Sequence, residues 1–144
     1  MAGETYKYDV MIDWDHDRVG TLTLDGKPRI QVAAPPEFDG VAGVVSPEDL
    51  FVASAASCMM TTFVMFSNKM RFEFKSYRCE GTGTLQKLEK GFEFTHIMLK
   101  STVTVEAKDS IDKAKRALEL AGKYCLVANS MKCPVDHENI VSAV

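Results

Sequence analysis

Four cysteines, Cys58, Cys79, Cys125 and Cys133, are the residues of this sequence best suited to covalent chemistry. None forms a C-x-x-C pair. The plain reading of each is packing, since a free cysteine behaves as a small hydrophobe. Cys58 stands apart. It lies in Ala55-Ala56-Ser57-Cys58-Met59, where small neighbours leave room for a substrate or a second thiol. A mid-helix position takes no help from its own helix dipole, which acts only near the ends. As a nucleophile Cys58 therefore needs a cation to lower its thiol pKa. Arginine is the natural choice because it stays charged. Cys125 sits in Tyr124-Cys125-Leu126-Val127, and Cys79, between Arg78 and Glu80, has no local feature that recommends it. Cys133 and His137 are spaced C-x3-H, half of a zinc site whose other half is missing locally. His16, His96 and His137 are scattered and read as surface or hydrogen-bonded histidines. Met59, Met60 and Met65 read as core filler.

The elements that must position these groups are legible from periodicity. Tyr6, Tyr8, Val10, Ile12 and Trp14 alternate with polar residues, the period of a half-buried strand. Val19 to Leu24 and Pro28 to Ala34 flank Asp25-Gly26, a hairpin signal. Ser46-Pro47-Glu48-Asp49 is a helix start: a capping serine, a proline in the first turn and two acids at the positive end of the dipole. That helix should run to about Met70. Its apolar residues point in all directions, so it should be surrounded by protein. One small domain struggles to enclose such a helix, which suggests a dimer. Phe72 to Leu85 and Gly91 to Glu106 read as long strands, with Ile97, Leu99, Val103 and Val105 on one face. Ser110 to Gly122 reads as an amphipathic helix capped by Asp109 or Ser110, with a short turn or helix from Cys125 to Met131. Asn139 to Val144 completes the pattern as a strand. Strands and helices in this order suggest α+β rather than a parallel α/β sheet.

The length of 144 residues fits one domain spanning 1–144. A composition of 46% hydrophobic and 26% charged residues supports a buried core rather than disorder. The net charge of −3 argues against nucleic acid as the main partner. From Leu50 to Asn68 no residue is charged, about the length of a membrane span, but serines, threonines and alanines favour a buried core helix; no membrane partner is expected. The polar stretch Met1 to Asp9 reads as no export signal, so a reducing cytoplasm is the expected location.

Ser46-Pro47-Glu48-Asp49-Leu50-Phe51 followed by Ala55-Ala56-Ser57-Cys58 resembles the OsmC/Ohr family, the osmotically inducible and organic hydroperoxide resistance proteins. The family signature is a Pro-Glu-x-Leu helix start with a cysteine ten residues after the glutamate, and Glu48 and Cys58 match both parts. The resemblance implies an α+β, intertwined homodimer with buried central helices packed between antiparallel β-sheets. It implies thiol-dependent reduction of a small hydroperoxide, an organic one in the Ohr branch. Cys58 matches the peroxide-attacking cysteine and Cys125 its resolving partner. Cys133, in Cys133-Pro134-Val135, rivals Cys125 because the family often reads Cys-Pro at its resolving position, whereas Leu126 follows Cys125 here. The family also pairs an arginine with the helix-start acid. Arg18 lies where the Ohr branch places it, although the branch's flanking glycines are mostly absent, and Arg29 is the alternative. Ten helical residues rise about 15 Å, so Glu48 cannot touch Cys58 within its own helix. If both serve one site, Glu48 comes from a partner subunit or acts through Arg18.

The expected mechanism follows from that resemblance. Arg18, held by Glu48, lowers the pKa of Cys58 and orients the peroxide. Cys58 becomes a sulfenic acid, Cys125 condenses with it, and an external dithiol resets the disulfide. In the Ohr branch that dithiol is a protein-bound lipoyl group. No cofactor or metal is called for. Phe51, Met59 and Phe63 are the expected apolar wall favouring an alkyl hydroperoxide. A second reading is an OsmC-like dimer that binds a small apolar ligand or senses thiol stress without turnover. A purely structural protein ranks last, since it explains neither the Glu48–Cys58 spacing nor Cys125.

Overall fold

The computed structural model describes residues 3–144, so Met1 and Ala2 of the polar N-terminal stretch lie outside the described residues. The chain divides into two compact units, Met1–Phe51 and Val52–Val144. In the first, β1 (Met11–His16), β2 (Val19–Thr23) and β3 (Ile30–Ala33) form an antiparallel sheet in the order β1-β2-β3. The Asp25-Gly26 turn joins β2 to β3 as its sequence predicts, with Gly26 at φ 70°. The periodic segment starting at Tyr6 is shorter than expected. Only Met11–His16 is strand, and it is exposed on both faces. Tyr6, Tyr8 and Trp14 are 69%, 89% and 75% exposed, so the apolar set of the alternation is not buried.

Helix α1 (Pro47–Lys69) begins in the first unit and runs on through the second. Its start is a reciprocal cap. Ser46 Oγ accepts the Asp49 N–H and Asp49 Oδ2 accepts the Ser46 N–H, both at 3.0 Å. By length and composition α1 is also apolar enough to cross a membrane. Within one chain only Ala55, Met59, Phe63 and Ser67 are buried along it, while Met60 and Met65 are exposed. The expected all-round burial is therefore not met by the chain alone.

The second unit holds the core. β4 (Ser76–Leu88) and β5 (Gly91–Val105) form a long antiparallel hairpin, and α2 (Ile111–Tyr124) and α3 (Leu126–Asn129) lead to β6 (Val135–Ala143). Phe72 and Phe74, expected in the strand, precede β4 and set their rings edge-on to Phe63. β5 is central, and Ile97, Leu99, Ser101, Val103 and Val105 on its covered face are fully buried. β6 starts at Val135, earlier than its periodicity suggested, and pairs with β5 in parallel. The sheet is thus mixed rather than purely antiparallel, because α2 carries the chain back across the sheet before β6 begins. Ala114, Ala117, Leu118 and Ala121 are the buried stripe of α2, which packs on β5 and β6.

Missing side chains set two close approaches. A Cβ on Gly83 would lie 2.5 Å from Val52 Cγ2 and 2.9 Å from Phe94 Cε1, so glycine here lets α1 lie against β4. A Cβ on Gly122 would lie 3.0 Å from His137 Nε2, so glycine admits the His137 ring against α2. Of the three histidines, His16 is exposed beside Asp17 and His96 bonds Asp136 at 2.8 Å. His137 departs from expectation: its Nδ1 is buried with no hydrogen-bond partner. Burial holds its pKa below the ordinary value, partly opposed by Asp136.

Two outcomes follow. Gly83→Val forces α1 away from the sheet and should lower stability by about 1–3 kcal/mol, read from urea denaturation. As pH falls below 6.5, the ordinary histidine value, the unfolded chain takes a proton that folded His137 refuses. Stability should therefore fall with pH from that point, and His137→Phe should flatten that part of the profile.

Candidate functional site

The site forms where α2 ends. Tyr124 is its last residue, and Cys125 takes an extended conformation (φ −65°, ψ 110°) before the chain re-enters a helix at Leu126. Asn129 ties the turn down twice. Its N–H donates to the Cys125 carbonyl at 3.0 Å and its Nδ2 donates to the Lys123 carbonyl at 3.0 Å. Cys125 is thereby fixed with 0% exposure. Across from it, α1 presents Cys58, half-buried, with its Sγ 3.8 Å from Thr62 Oγ1 one turn on.

The two thiols are neighbours that act on each other's acidity, and their environments push them in opposite directions. Burial raises Cys58. Against it stand the Cys125 thiol, the backbone N–H of Val127, the Thr62 hydroxyl and the backbone N–H of Leu126, and together they hold Cys58 below its ordinary value. Burial first, and then the adjacent Cys58, push Cys125 up to about 11. The pair has one sulfur favoured as thiolate and one kept protonated to donate to it. The sequence called for a cation to activate Cys58. Within one chain and among the described residues, the groups that favour its thiolate are a neighbouring thiol, a hydroxyl and two backbone amides at the start of α3. Sequence reasoning missed Thr62, Asn129's tether and the amides, because their effect depends on where α3 begins. A polar residue directly after an apolar helical turn was the available hint.

The remaining candidates lie elsewhere. Cys133 is buried in the turn before β6, where the adjoining Pro134 carbonyl accepts the Ile97 N–H at 3.0 Å, and Cys58 contacts Cys125 rather than this rival. Among the described residues no group of three His, Cys, Asp or Glu side chains is placed to hold a metal ion. Met59 and Phe63 are fully buried, and Phe63 stacks on Tyr77 with ring centroids 5.1 Å apart. They are core rather than the wall of an open pocket. Leu126 and Tyr124, which flank Cys125 in sequence, are both exposed.

In the first unit, Glu48 sits in the opening turn of α1 with its Oε1 buried and without a hydrogen-bond partner. A buried carboxylate oxygen left unpaired is costly and calls for a donor. Arg18 occupies the tip of the β1–β2 turn, next to Asp17 at φ 48°, and Arg29 immediately precedes β3; both are exposed. Among the described residues no ion pair joins either arginine to Glu48. The expected Arg18–Glu48 pair is therefore not assembled within one chain.

Comparison with known proteins converges on one family. Residues 40–138 match the family described as OsmC-like protein. An OsmC-like protein of unknown function from Vibrio cholerae has the same fold, with a TM-score of 0.84 and 27% identity over 94% of this chain and 100% of that one. An organic hydroperoxide resistance protein from Elizabethkingia anophelis superposes with a TM-score of 0.76 at 18% identity, covering 99% of this chain and 100% of that one. YmaD, an uncharacterized protein of Bacillus subtilis (strain 168), is 20% identical over 86% of this chain and 85% of its own. The helix-start motif, the α+β element order and the family match agree, and the chain belongs to the OsmC-like protein family.

Proposed function

We propose that this protein is a thiol peroxidase that reduces hydroperoxides, organic ones in preference to hydrogen peroxide. The observation that carries the reading is the contact between Cys58 and Cys125, with one thiol acidified and the other kept protonated. The Cys58 thiolate attacks the distal peroxide oxygen. The O–O bond breaks, the alcohol leaves with a proton, and Cys58 becomes a sulfenic acid. Cys125 then forms the disulfide, its proton leaving with the hydroxyl as water. An external dithiol supplies two electrons by exchange and restores both thiols. A lipoyl-bearing protein is the dithiol that the Ohr resemblance offers, and a reducing cytoplasm suits four free cysteines. Leu126, exposed and joined by its backbone N–H to the Cys58 site, is an apolar contact for an alkyl group.

The working unit in this reading is a homodimer. It gives the exposed apolar residues of β1, including Met11, Ile12 and Trp14, and Met60 and Met65 of α1 a surface to bury against. It also gives Glu48 its missing donor, Arg18 or in its place Arg29. That neither arginine reaches Glu48 within one chain favours the second reading, a ligand-binding or thiol-sensing dimer without turnover.

Consumption of cumene hydroperoxide and hydrogen peroxide, driven by dihydrolipoamide or dithiothreitol, separates the two. Peroxidase chemistry predicts faster turnover with the organic peroxide. Cys58→Ser should fall to the buffer background, and Cys125→Ser should accumulate the sulfenic acid. Full turnover in Cys58→Ser, or none in wild type with any dithiol, contradicts the peroxidase reading.

A further inference from the structure

Beyond Thr62, the face of α1 that carries Cys58 continues to Phe66 and Lys69. Thr62, Phe66 and Lys69 stand four, eight and eleven positions after Cys58, the spacing of one helix face. Phe66 meets Tyr124, the residue before Cys125, with ring centroids 6.0 Å apart. Each ring carries a cation. Lys69 Nζ lies 6.0 Å from the Phe66 centroid, and Lys123 Nζ lies 5.4 Å from the Tyr124 centroid. Two rings and two ammonium groups thus form one patch. It adjoins both thiol-bearing segments, since Tyr124 precedes Cys125 and Thr62, one turn before Phe66, has its Oγ1 3.8 Å from Cys58 Sγ.

Both lysines stand in the last turn of their helices, where the dipole favours positive charge. Among the described residues neither forms an ion pair. Glu119, one turn before Lys123, is held instead by Arg116 at 3.1 Å. Tyr124 is exposed and Phe66 half-buried, so the patch offers an apolar floor bordered by two unpaired cations. A carboxylate on an apolar body fits both parts, the body on the rings and the carboxylate against the ammonium groups. Phe66 lies about 12 Å along α1 from Cys58, so such a body extends from the patch toward the thiols. We propose that Lys69 and Lys123 are specificity-determining residues of the thiol site, and that they hold the carboxylate of an anionic, apolar-bodied dithiol whose sulfurs reset the Cys58–Cys125 disulfide.

The step is a thiol–disulfide exchange and rests on the peroxidase reading only for how the disulfide arises. The first thiolate of the dithiol attacks Cys58 Sγ, the half-buried sulfur, because Cys125 has no exposed surface. The Cys58–Cys125 bond breaks, and Cys125 leaves with the electron pair and takes the proton of the second thiol. That second thiolate then attacks the mixed disulfide. The dithiol closes its own S–S bond, and Cys58 leaves as the thiolate. Two electrons pass from the dithiol to the cysteine pair. The carboxylate takes no part in the exchange; it holds the dithiol where its sulfurs reach the pair. A chain of net charge −3 would otherwise repel an anion, so a preference for the charged dithiol needs a local cause.

Two pairs of compounds that differ only in charge test this on the full chain. Octanoate and octanamide, titrated into the reduced protein and followed by NMR, test the recognition alone. Octanoate should bind about tenfold more tightly, the worth of one charge-assisted hydrogen bond, and should slow iodoacetamide alkylation at Cys58. Dihydrolipoate and neutral dihydrolipoamide, below saturation, then reduce the disulfide that diamide makes without peroxidase chemistry. The charged dithiol should react about tenfold faster. Both preferences should vanish in the double variant Lys69→Gln, Lys123→Gln, whose folding is checked by circular dichroism. Equal binding of octanoate and octanamide, equal rates for the two dithiols, or a preference that survives the double substitution overturns the proposal. A lysine-dependent preference in both pairs, with no reaction toward cumene hydroperoxide, sustains the carboxylate site and defeats the peroxidase reading instead.

Discussion

The Cys58 thiol is held against Cys125 and the first amides of α3, and this contact depends on a break between two helices. Had α2 continued past Tyr124, its backbone N–H groups would be spent on intrahelical bonds. The extended residue at Cys125 frees the N–H groups of Leu126 and Val127, and these favour a thiolate on the neighbouring helix. The same break buries Cys125, which raises its pKa and keeps its proton available as a donor. One local conformation thus creates both halves of an asymmetric pair. Asn129 maintains it by bonding back to the carbonyls of Lys123 and Cys125.

For the contact to exist, α1 must lie close to the sheet and α2 must return across it. Glycines at 81 and 83 meet the first need by removing side chains where Val52 and Ala56 sit. Alanines at 114, 117 and 121 meet the second by thinning the buried stripe of α2 over β5 and β6. The small residues are therefore spacers that set helix-to-sheet distances, and the thiol contact is one of the distances they set. The cost is a surface left incomplete in one chain. Trp14, Met60 and Met65 are exposed, and Glu48 Oε1 is buried without a hydrogen-bond partner.

Much of this was legible from local patterns. The Ser46 cap, the Asp25-Gly26 turn, the amphipathic face of α2 and the one-sided burial of β5 follow from rules that act within a few residues. Cys58 and Cys125 were singled out together on family resemblance, and the fold brings them into contact. What stayed hidden depends on distant parts of the chain. The amides acting on Cys58 lie about seventy residues away in sequence. The parallel pairing of β6 is decided by the α2 crossover, and the Tyr77–Ser101 hydrogen bond by strand register. The alternation from Tyr6 to Trp14 misled because period alone does not say that a covering surface exists, and β1 is exposed on both faces.

The central claim is that Cys125 and the start of α3 acidify Cys58. The rate of iodoacetamide alkylation at Cys58, resolved by mass spectrometry and followed against pH, reads its thiolate fraction directly. The account predicts a midpoint below the ordinary thiol value of 9.0 in wild type and an upward shift in Cys125→Ala, where the donating thiol is gone. A wild-type midpoint at or above 9.0, unmoved by that substitution, would contradict it.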